Sequence, residues 1–233
     1  MPTAVITGCN SGIGHATAQI LKGEGYHIYA LDVVVGDKLK ALEGTNIHIS
    51  EADVTNPDSI ARFRKTIGDT PIDVLLNVAG EFMPDPTSDT LETVSLSTIQ
   101  KSFAINACGP LLLTQALLSN ILSAPVPRRV AVVSSRIGSI ADNSSGGMYA
   151  YRASKCAVNC FFKTLAVELR DKVVVVTMLH PGFTNTNLDA DIGKVPGVVE
   201  PEVSAAGLWK VVKGTELAKT GKVWHRDGYE LPW

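Results

Sequence analysis

Short apolar runs alternate with amphipathic stretches along the 233 residues, and this alternation limits the fold more than any other feature. Runs rich in β-branched residues predict strands, and apolar residues repeating every 3.6 positions predict the helices between them. Strands that alternate with helices form a parallel sheet covered by helices on both faces. The predicted strands cover residues 4–6, 27–32, 46–50, 72–80, 129–135, 173–182 and 221–225.

These elements predict an α/β protein with a Rossmann-type doubly wound parallel sheet of about seven strands. Asn56 and Pro57 have the residue types that begin a helix, and two long helices are predicted at 95–122 and 149–170. No Pro/Gly/Ser-rich linker and no repeat divides the chain. We therefore expect a single domain spanning residues 1–233.

Composition and charge exclude several classes of protein. Apolar residues make up 45% of the chain, and the net charge of −2 lacks the basic excess of a nucleic-acid surface. The longest apolar run, residues 173–179, is too short to cross a bilayer, and the early first strand leaves no room for a leader peptide. The cysteines, which show no zinc-type spacing with the histidines, are Cys9, Cys108, Cys156 and Cys160. We expect a cytoplasmic protein that binds no nucleic acid, membrane or metal.

A glycine-rich turn, "TGCNSGIG" at residues 7–14, joins the first predicted strand to a helix ending at Gly23 or Gly25. Its glycines permit positive φ angles and let another group approach the backbone. The first turn of the helix also offers unpaired N–H groups and a positive dipole end, which suits a pyrophosphate. A tight turn without a ligand needs the same glycines, so this motif alone leaves both interpretations open.

A second motif, "YRASK", places Tyr151 and Lys155 four positions apart on a predicted helix. At 100° per residue their side chains lie about 40° apart on one face, whereas Tyr149 lies about 120° away from Lys155. A nearby ammonium group favours the phenolate form of a tyrosine. The spacing therefore predicts that Lys155 depresses the pKa of Tyr151 toward a value useful for proton transfer.

Together these motifs resemble the short-chain dehydrogenase/reductase family, in its compact single-domain branch. The resemblance extends over nearly the whole chain and is strong because the motifs follow the family's order. They are "TGCNSGIG", "ADV" at 52–54, "NVAG" at 77–80, Asn106, "VVSSRIG", "YRASK" and "HPGFTNT" at 180–186. The "GGMYAYRASK" surroundings and the final "DGYELPW" look most like the subgroup of C-factor-like proteins and sniffer-type carbonyl reductases.

The resemblance implies an oxidoreductase that interconverts a carbonyl and a secondary alcohol with a nicotinamide cofactor. Tyr151 would exchange a proton with the substrate oxygen, and Lys155 would hold the nicotinamide ribose. Ser135 would hydrogen-bond the substrate oxygen, and Asn106 would order a water relay behind the lysine. We choose Ser135 over its neighbour because Gly138 follows it at the family's spacing.

The resemblance also implies the residues that bind the dinucleotide. They are Gly8, Asn10, Ser11, Gly12, Ile13, Gly14, Asp32, Asp53, Val54, Asn77, Ala79, Gly80, Tyr151, Lys155, Pro181, Gly182, Phe183, Thr184 and Thr186. Among them, Asp32 ends the second strand, where an acid accepts hydrogen bonds from the adenosine ribose hydroxyls. No basic residue occurs in the glycine turn or directly after Asp32, so NAD is expected and NADP is disfavoured.

The walls of the substrate pocket are also predicted. Ser135 and Tyr151 are 16 positions apart, longer than the family's usual spacing, so residues 136–148 should lie over the substrate. Arg136 is expected to face solvent. A medium-sized, mainly apolar carbonyl compound fits the expected walls, which include Phe82, Met83, Ile137, Met148, Phe183 and Leu188.

Other classes of protein fit the sequence less well. A regulatory protein that binds the dinucleotide with little turnover is the alternative to an enzyme. A sugar-nucleotide epimerase is disfavoured by length and glycine spacing.

We also expect a homodimer or homotetramer. The apolar residues of the second long helix are numerous enough to cover both the sheet and a partner, and they include Val158, Phe161, Phe162 and Leu165.

Overall fold

The structure, a computed structural model, describes residues 1–82, 86–187 and 192–233. In those ranges one sheet has eight strands, in the order β3-β2-β1-β4-β5-β6-β7-β8. The strands are β1 (Thr3–Thr7), β2 (His27–Asp32), β3 (Ile47–Glu51), β4 (Val74–Asn77), β5 (Arg128–Val133), β6 (Val174–His180), β7 (Lys222–His225) and β8 (Glu230–Leu231).

Strands β1 to β7 are parallel, and β8 alone runs antiparallel, beside β7. The doubly wound sheet predicted from the sequence is therefore confirmed, with a short eighth strand added. A strand of two residues is too short to show the alternation that identifies strands in a sequence. The strand order reverses between β1 and β4, which places a crevice beyond their carboxyl ends.

Helices cover both faces of the sheet. They are α1 (Gly12–Gly23), α2 (Asp37–Lys40), α3 (Pro57–Ile67), α4 (Leu96–Phe103), α5 (Gly109–Ala116), α6 (Leu118–Ser123), α7 (Tyr149–Glu168) and α8 (Pro201–Gly214). Asn56 begins α3 as expected, because its side-chain oxygen accepts hydrogen bonds from the N–H groups of Asp58 and Ser59.

The helix predicted at 95–122 is divided into segments. A π-helical turn, Ala104–Cys108, separates α4 from α5. Pro110 follows this turn and has no N–H to donate to the carbonyl of Asn106, as a continuous α-helix would require. A proline near the start of α5 thus interrupts the α-helical hydrogen bonding at a residue of the expected active site.

Alternate residues of each strand contribute to two hydrophobic layers. Val5 packs toward the layer that contains Leu113 of α5 and Phe162 of α7. Its neighbour Ile6 packs toward the opposite layer, which contains Trp209 of α8. Because successive strand residues point to opposite faces, β1 lies between the two layers.

The α7 residues on which the expected homo-oligomer depended pack largely within the chain. Val158 and Phe162 are fully buried. Phe161 and Leu165 are partly buried against the same core. Less apolar surface is therefore available to a partner than the sequence indicated, and the homodimer or homotetramer stays a prediction. In the described ranges, no helix combines the length and apolarity needed to cross a membrane.

Candidate active site and dinucleotide site

The glycine turn between β1 and α1 is built as the sequence predicted. Gly8 has φ +74°, and a Cβ on Gly14 would lie 2.1 Å from the carbonyl oxygen of Gly8. Only glycine therefore fits at position 14 without moving the backbone. Ser11 precedes α1 but makes no side-chain cap with it, so its hydroxyl does not occupy the first N–H groups of the helix.

Thr7 joins the glycine turn to the end of β4. Its hydroxyl oxygen accepts hydrogen bonds from the N–H groups of Val78 and Ala79, both at 3.0 Å. These N–H groups bind a side chain of β1 and not a backbone carbonyl, which explains why β4 ends at Asn77 and not at the predicted residue 80. The segment from Val78 to Gly80 consequently lies beside the glycine turn.

Asp32, at the end of β2, lies against the same turn. One of its carboxylate oxygens accepts a hydrogen bond from the backbone N–H of Asn10 at 2.9 Å, and the other accepts from Val34 at 3.2 Å. The side chain of Asn10 in turn accepts from the N–H groups of Gly36 and Leu39. The carboxylate therefore helps to shape this loop as well as facing the turn.

Asp53, Val54 and Asn77 occupy three different environments. The carboxylate of Asp53 accepts hydrogen bonds from the N–H and hydroxyl of Thr55. Val54 packs close to Gly109, where a Cβ would lie only 2.8 Å from it. Asn77 is 1% exposed, and its amide donates to Thr114 and to the carbonyl of Ala131. Asn77 thus joins β4 to β5 and α5, a structural position rather than an open one.

Residues 181–187 follow β6 and approach the glycine turn. A Cβ on Gly12 would lie 3.2 Å from the methyl carbon of Thr186. The hydroxyl of Thr184 is 2.7 Å from that of Ser204 on α8, whereas the side chain of Phe183 is exposed. The expected dinucleotide residues of this segment therefore lie at the same edge of the sheet as the turn.

Arg226 supports this segment from behind and was not identified in the sequence. Its guanidinium donates to the carbonyl of Pro181 at 2.6 Å and to that of Phe183 at 3.4 Å. A Cβ on Gly182 would lie only 2.5 Å from a guanidinium nitrogen of Arg226, so a side chain at position 182 would displace the arginine. No motif marks Arg226, because it lies far from Pro181 in the sequence.

Ser135 and Tyr151 are brought together at the end of β5. The hydroxyl of Ser135 lies near the Tyr151 phenol, where it lowers the pKa of that phenol, and it accepts a hydrogen bond from the backbone N–H of Ile137 at 3.2 Å. The neighbouring Ser134 is buried and donates to the side chain of Asn159 at 2.7 Å. Of the two serines, Ser135 is therefore the one that lies near Tyr151.

Lys155 is buried beneath the tyrosine. Its ammonium group lies 5.8 Å from the centre of the Tyr151 ring and donates to the carbonyl of Val133 at 3.0 Å. Burial lowers the pKa of Lys155 to about 8. The ammonium group is near the phenol, but it also donates a hydrogen bond to the last residue of β5.

The phenol of Tyr151 does not show the depressed pKa predicted from the sequence. Burial raises the pKa of Tyr151 to about 12, and the nearby hydroxyl of Ser135 only partly offsets this effect. The prediction that Lys155 depresses this pKa is therefore wrong for the chain on its own. The spacing of the two residues could be read from the sequence, but the loss of solvent around the phenol could not.

Asn106 lies in the π-helical turn and holds the end of β4. Its side-chain oxygen accepts from the N–H of Glu81 at 2.8 Å, and its amide donates to the carbonyl of Glu81 at 2.9 Å and to Ser154. A Cβ on Gly80 would lie 3.2 Å from the Asn106 oxygen and 3.5 Å from the Lys155 nitrogen. Asn106 and Lys155 therefore flank the same short segment.

The surroundings of the phenol match part of the expected pocket wall. Phe82 contacts the ring of Tyr151 edge to face. Arg136 forms an ion pair with Asp142 of its own loop and is largely exposed, as expected for a solvent-facing residue. Met83 and Leu188, also expected in the wall, lie outside the described residues.

These features fit a bound dinucleotide. The glycine turn leaves no room for a Cβ at Gly14, the first N–H groups of α1 lack a side-chain cap from Ser11, and the carboxylate of Asp32 lies at the turn. In the described parts of the chain, no cluster of His, Cys, Asp or Glu side chains could hold a metal ion.

Comparisons with known proteins agree with this geometry. Residues 2–196 match the signature of the short chain dehydrogenases. The chain is 36% identical to the C-signal protein of Myxococcus xanthus over 163 residues, which cover 70% of this chain and 93% of that protein.

Two solved structures resemble the whole chain. The carbonyl reductase Sniffer of D. melanogaster has a TM-score of 0.87 and 26% identity, with 100% of both chains covered. A protein of Burkholderia multivorans, described as a short-chain dehydrogenase/reductase with bound NADP, has a TM-score of 0.84 and 27% identity, covering 100% of this chain and 99% of that one. With its single Rossmann-type domain and its sequence signature, the chain belongs to the short-chain dehydrogenase/reductase family of oxidoreductases.

Proposed function

We propose that this protein interconverts a carbonyl and a secondary alcohol, with Tyr151 as the group that exchanges a proton with the substrate oxygen. The observation that carries the proposal is the convergence of Ser135, Tyr151 and Lys155 at the carboxyl ends of the parallel strands. When bound, the nicotinamide dinucleotide supplies or accepts the hydride.

The chain's own residues then position the substrate and move the proton. A phenol with a pKa near 12 is protonated at neutral pH, so Tyr151 is ready to donate its proton to a carbonyl oxygen. The hydroxyl of Ser135 donates a hydrogen bond to the same oxygen. Lys155 would hold the nicotinamide ribose and supply positive charge near the phenol, and Asn106 would order a water relay behind it.

We infer a preference for NAD(H), on the basis of Asp32. A carboxylate at the end of β2 accepts hydrogen bonds from ribose hydroxyls and repels a 2′-phosphate. Two facts favour NADP(H) instead: the Burkholderia relative is described with bound NADP, and the lysines of α2, Lys38 and Lys40, are exposed just after the Asp32 loop. The hydrogen bond from the N–H of Asn10 holds the carboxylate against the turn, and on this ground we give Asp32 the larger weight.

A mainly apolar carbonyl compound of small to medium size is the proposed substrate class. Phe82 packs on the phenol, and Ile137 begins the loop between Ser135 and α7. Arg136 is paired with Asp142 and is therefore not offered to a substrate anion.

The alternative function is a regulatory protein that binds the dinucleotide with little turnover. The name of the Myxococcus relative, C-signal, is the observation that favours it. A protein that only binds the dinucleotide does not need a phenol placed near a serine hydroxyl and a lysine, so the enzyme is the better supported function. Oxidation of NADH and NADPH in the presence of ketones and quinones distinguishes the two.

The catalytic assignment is tested by replacing the phenol. Tyr151→Phe should abolish turnover while dinucleotide affinity, measured by fluorescence titration, changes little, because only the hydroxyl is lost. Lys155→Ala should reduce both. Tyr149→Phe is the matched control, since this tyrosine lies on another face of α7 and is partly exposed. Substantial activity in Tyr151→Phe, or loss of activity in Tyr149→Phe, would overturn the assignment.

A further inference from the structure

The first turn of α7, which carries Tyr151, lacks a local cap. The residue before the helix, Met148, has a left-handed backbone with φ +52° and ψ +49°, and its side chain makes no hydrogen bond to the first turn of the helix. The first N–H groups of a helix have no partners within it, so they need an acceptor from elsewhere.

A distant carboxylate supplies that acceptor. Asp89 accepts a hydrogen bond from the N–H of Ala150 at 2.8 Å through one oxygen, and from the N–H of Tyr151 at 3.2 Å through the other. Asp89 is 1% exposed; its bond from Ala150 is buried and its bond from Tyr151 is partly buried. A negative charge at this point also interacts favourably with the positive end of the helix dipole.

We propose that Asp89 is a positioning residue for the reaction, because it fixes the backbone of the proton-donating tyrosine itself. Tyr151 is the third residue of α7, within the turn that frays first in a helix. Its phenol must stay close to both Ser135 and Lys155. Two hydrogen bonds to one buried carboxylate hold that turn in place. This role rests on the proposed function of Tyr151.

The position of Asp89 couples the catalytic helix to another part of the site. Asp89 lies in the connection between β4 and α4. Its side chain therefore joins this connection to α7. Asp89 is 61 positions from Ala150 in the sequence, and no motif marks it.

Asp89→Asn and Asp89→Ala test the proposal. Asparagine retains one acceptor oxygen and alanine retains none, so kcat should fall in the order wild type, Asn, Ala, with about a 10- to 100-fold loss for alanine. Affinity for NADH or NADPH should stay within about twofold, because no contact of the glycine turn is changed. Asp58→Asn, which makes the same change in the exposed first turn of α3, is the matched control and should leave kcat unaltered.

Hydrogen exchange of the Ala150 and Tyr151 amides, followed by NMR, gives a readout that does not depend on turnover. Both amides should exchange more rapidly in the alanine variant than in the wild type, and at an intermediate rate in the asparagine variant. If the alanine variant does not fold, the asparagine variant alone tests the proposal. Faster exchange with unchanged kcat, or unchanged exchange, would overturn the positioning role. If the wild type reduces no carbonyl compound, the proposed function fails, and the exchange rates still show whether Asp89 holds Tyr151.

Discussion

The ring of Phe82 meets the ring of Tyr151 edge to face, with the ring centres 4.8 Å apart and the planes at 82°. Phe82 directly follows Glu81, both of whose backbone hydrogen-bonding groups are held by the side chain of Asn106. Asn106 thus holds the residue next to Phe82, and Phe82 in turn packs against the ring of Tyr151. This arrangement leads to the first prediction.

Phe82→Leu should lower kcat by about two- to tenfold, because edge-to-face aromatic pairs contribute about 0.5–1.5 kcal/mol beyond their area. Leucine retains an apolar contact but not the ring that orients the phenol. Steady-state kinetics with a small and a larger ketone measures the effect, and the reduction in kcat should be similar for both. Tyr26→Leu breaks a comparable pair with Trp209, far from the site, and should leave kcat unchanged. An effect on KM alone would mean that Phe82 contacts the substrate without orienting Tyr151.

Most of the fold could be predicted from the sequence, because its signals are local. Strand runs, the Asn56 cap and the glycine turn each depend on residues that are neighbours in the chain. The Tyr151–Lys155 pair was found for the same reason, since helical geometry fixes its spacing.

The unpredicted features depend on contacts between distant segments. Asp89 and Arg226 stabilise α7 and the Pro181 segment from far along the sequence. The raised pKa of Tyr151 results from burial, which only the assembled fold produces. A local pattern can therefore identify a catalytic pair but not the groups that position it or set its protonation.

Arg152 is expected to hold the loop between Ser135 and α7. Its guanidinium donates to the carbonyls of Ile137, Gly146 and Gly147 and to the hydroxyl of Ser145. Arg152→Lys retains the charge but cannot make this set of bonds, because lysine has a single nitrogen.

We expect Arg152→Lys to increase hydrogen exchange in residues 137–147 and to raise KM for the carbonyl substrate several-fold, while NADH affinity is unchanged. Arg170→Lys, at an exposed position in the turn that follows the C-terminal end of α7, is the control. Unaltered exchange in the loop would show that Arg152 does not restrain it.

His180 should make the fold less stable in acid. Burial, with further effects from His225, Arg136 and Arg226, lowers the pKa of His180 to about 3. In the unfolded chain a histidine has a pKa of about 6.5, so below that pH the unfolded state binds a proton that the folded state does not. The free energy of unfolding should therefore fall as the pH decreases from about 6.5 toward 3, by at most about 1.4 kcal/mol per pH unit from this residue.

Urea unfolding at pH 7 and pH 5 tests this prediction. His180→Gln should reduce the difference in unfolding free energy between the two pH values, because glutamine does not titrate. Thr177→Val, a buried change on the same strand, should retain the wild-type difference. An equal pH dependence in wild type and His180→Gln would contradict the role given to this histidine.

The choice of cofactor depends on Asp32 and the lysines of α2. If Asp32 receives the ribose, the wild type should use NADH more efficiently than NADPH by at least about tenfold in kcat/KM, or about 1.4 kcal/mol. Asp32→Asn keeps an oxygen for the N–H of Asn10 but removes the charge, so it should improve kcat/KM for NADPH and narrow the ratio. The double variant Lys38→Ala/Lys40→Ala should leave the NADH preference intact. If instead the wild type prefers NADPH and loses that preference in the lysine variant, the proposed preference for NAD(H) is wrong. The two lysines would then bind the 2′-phosphate that Asp32 was expected to repel, and the proposed role of Tyr151 would be unaffected.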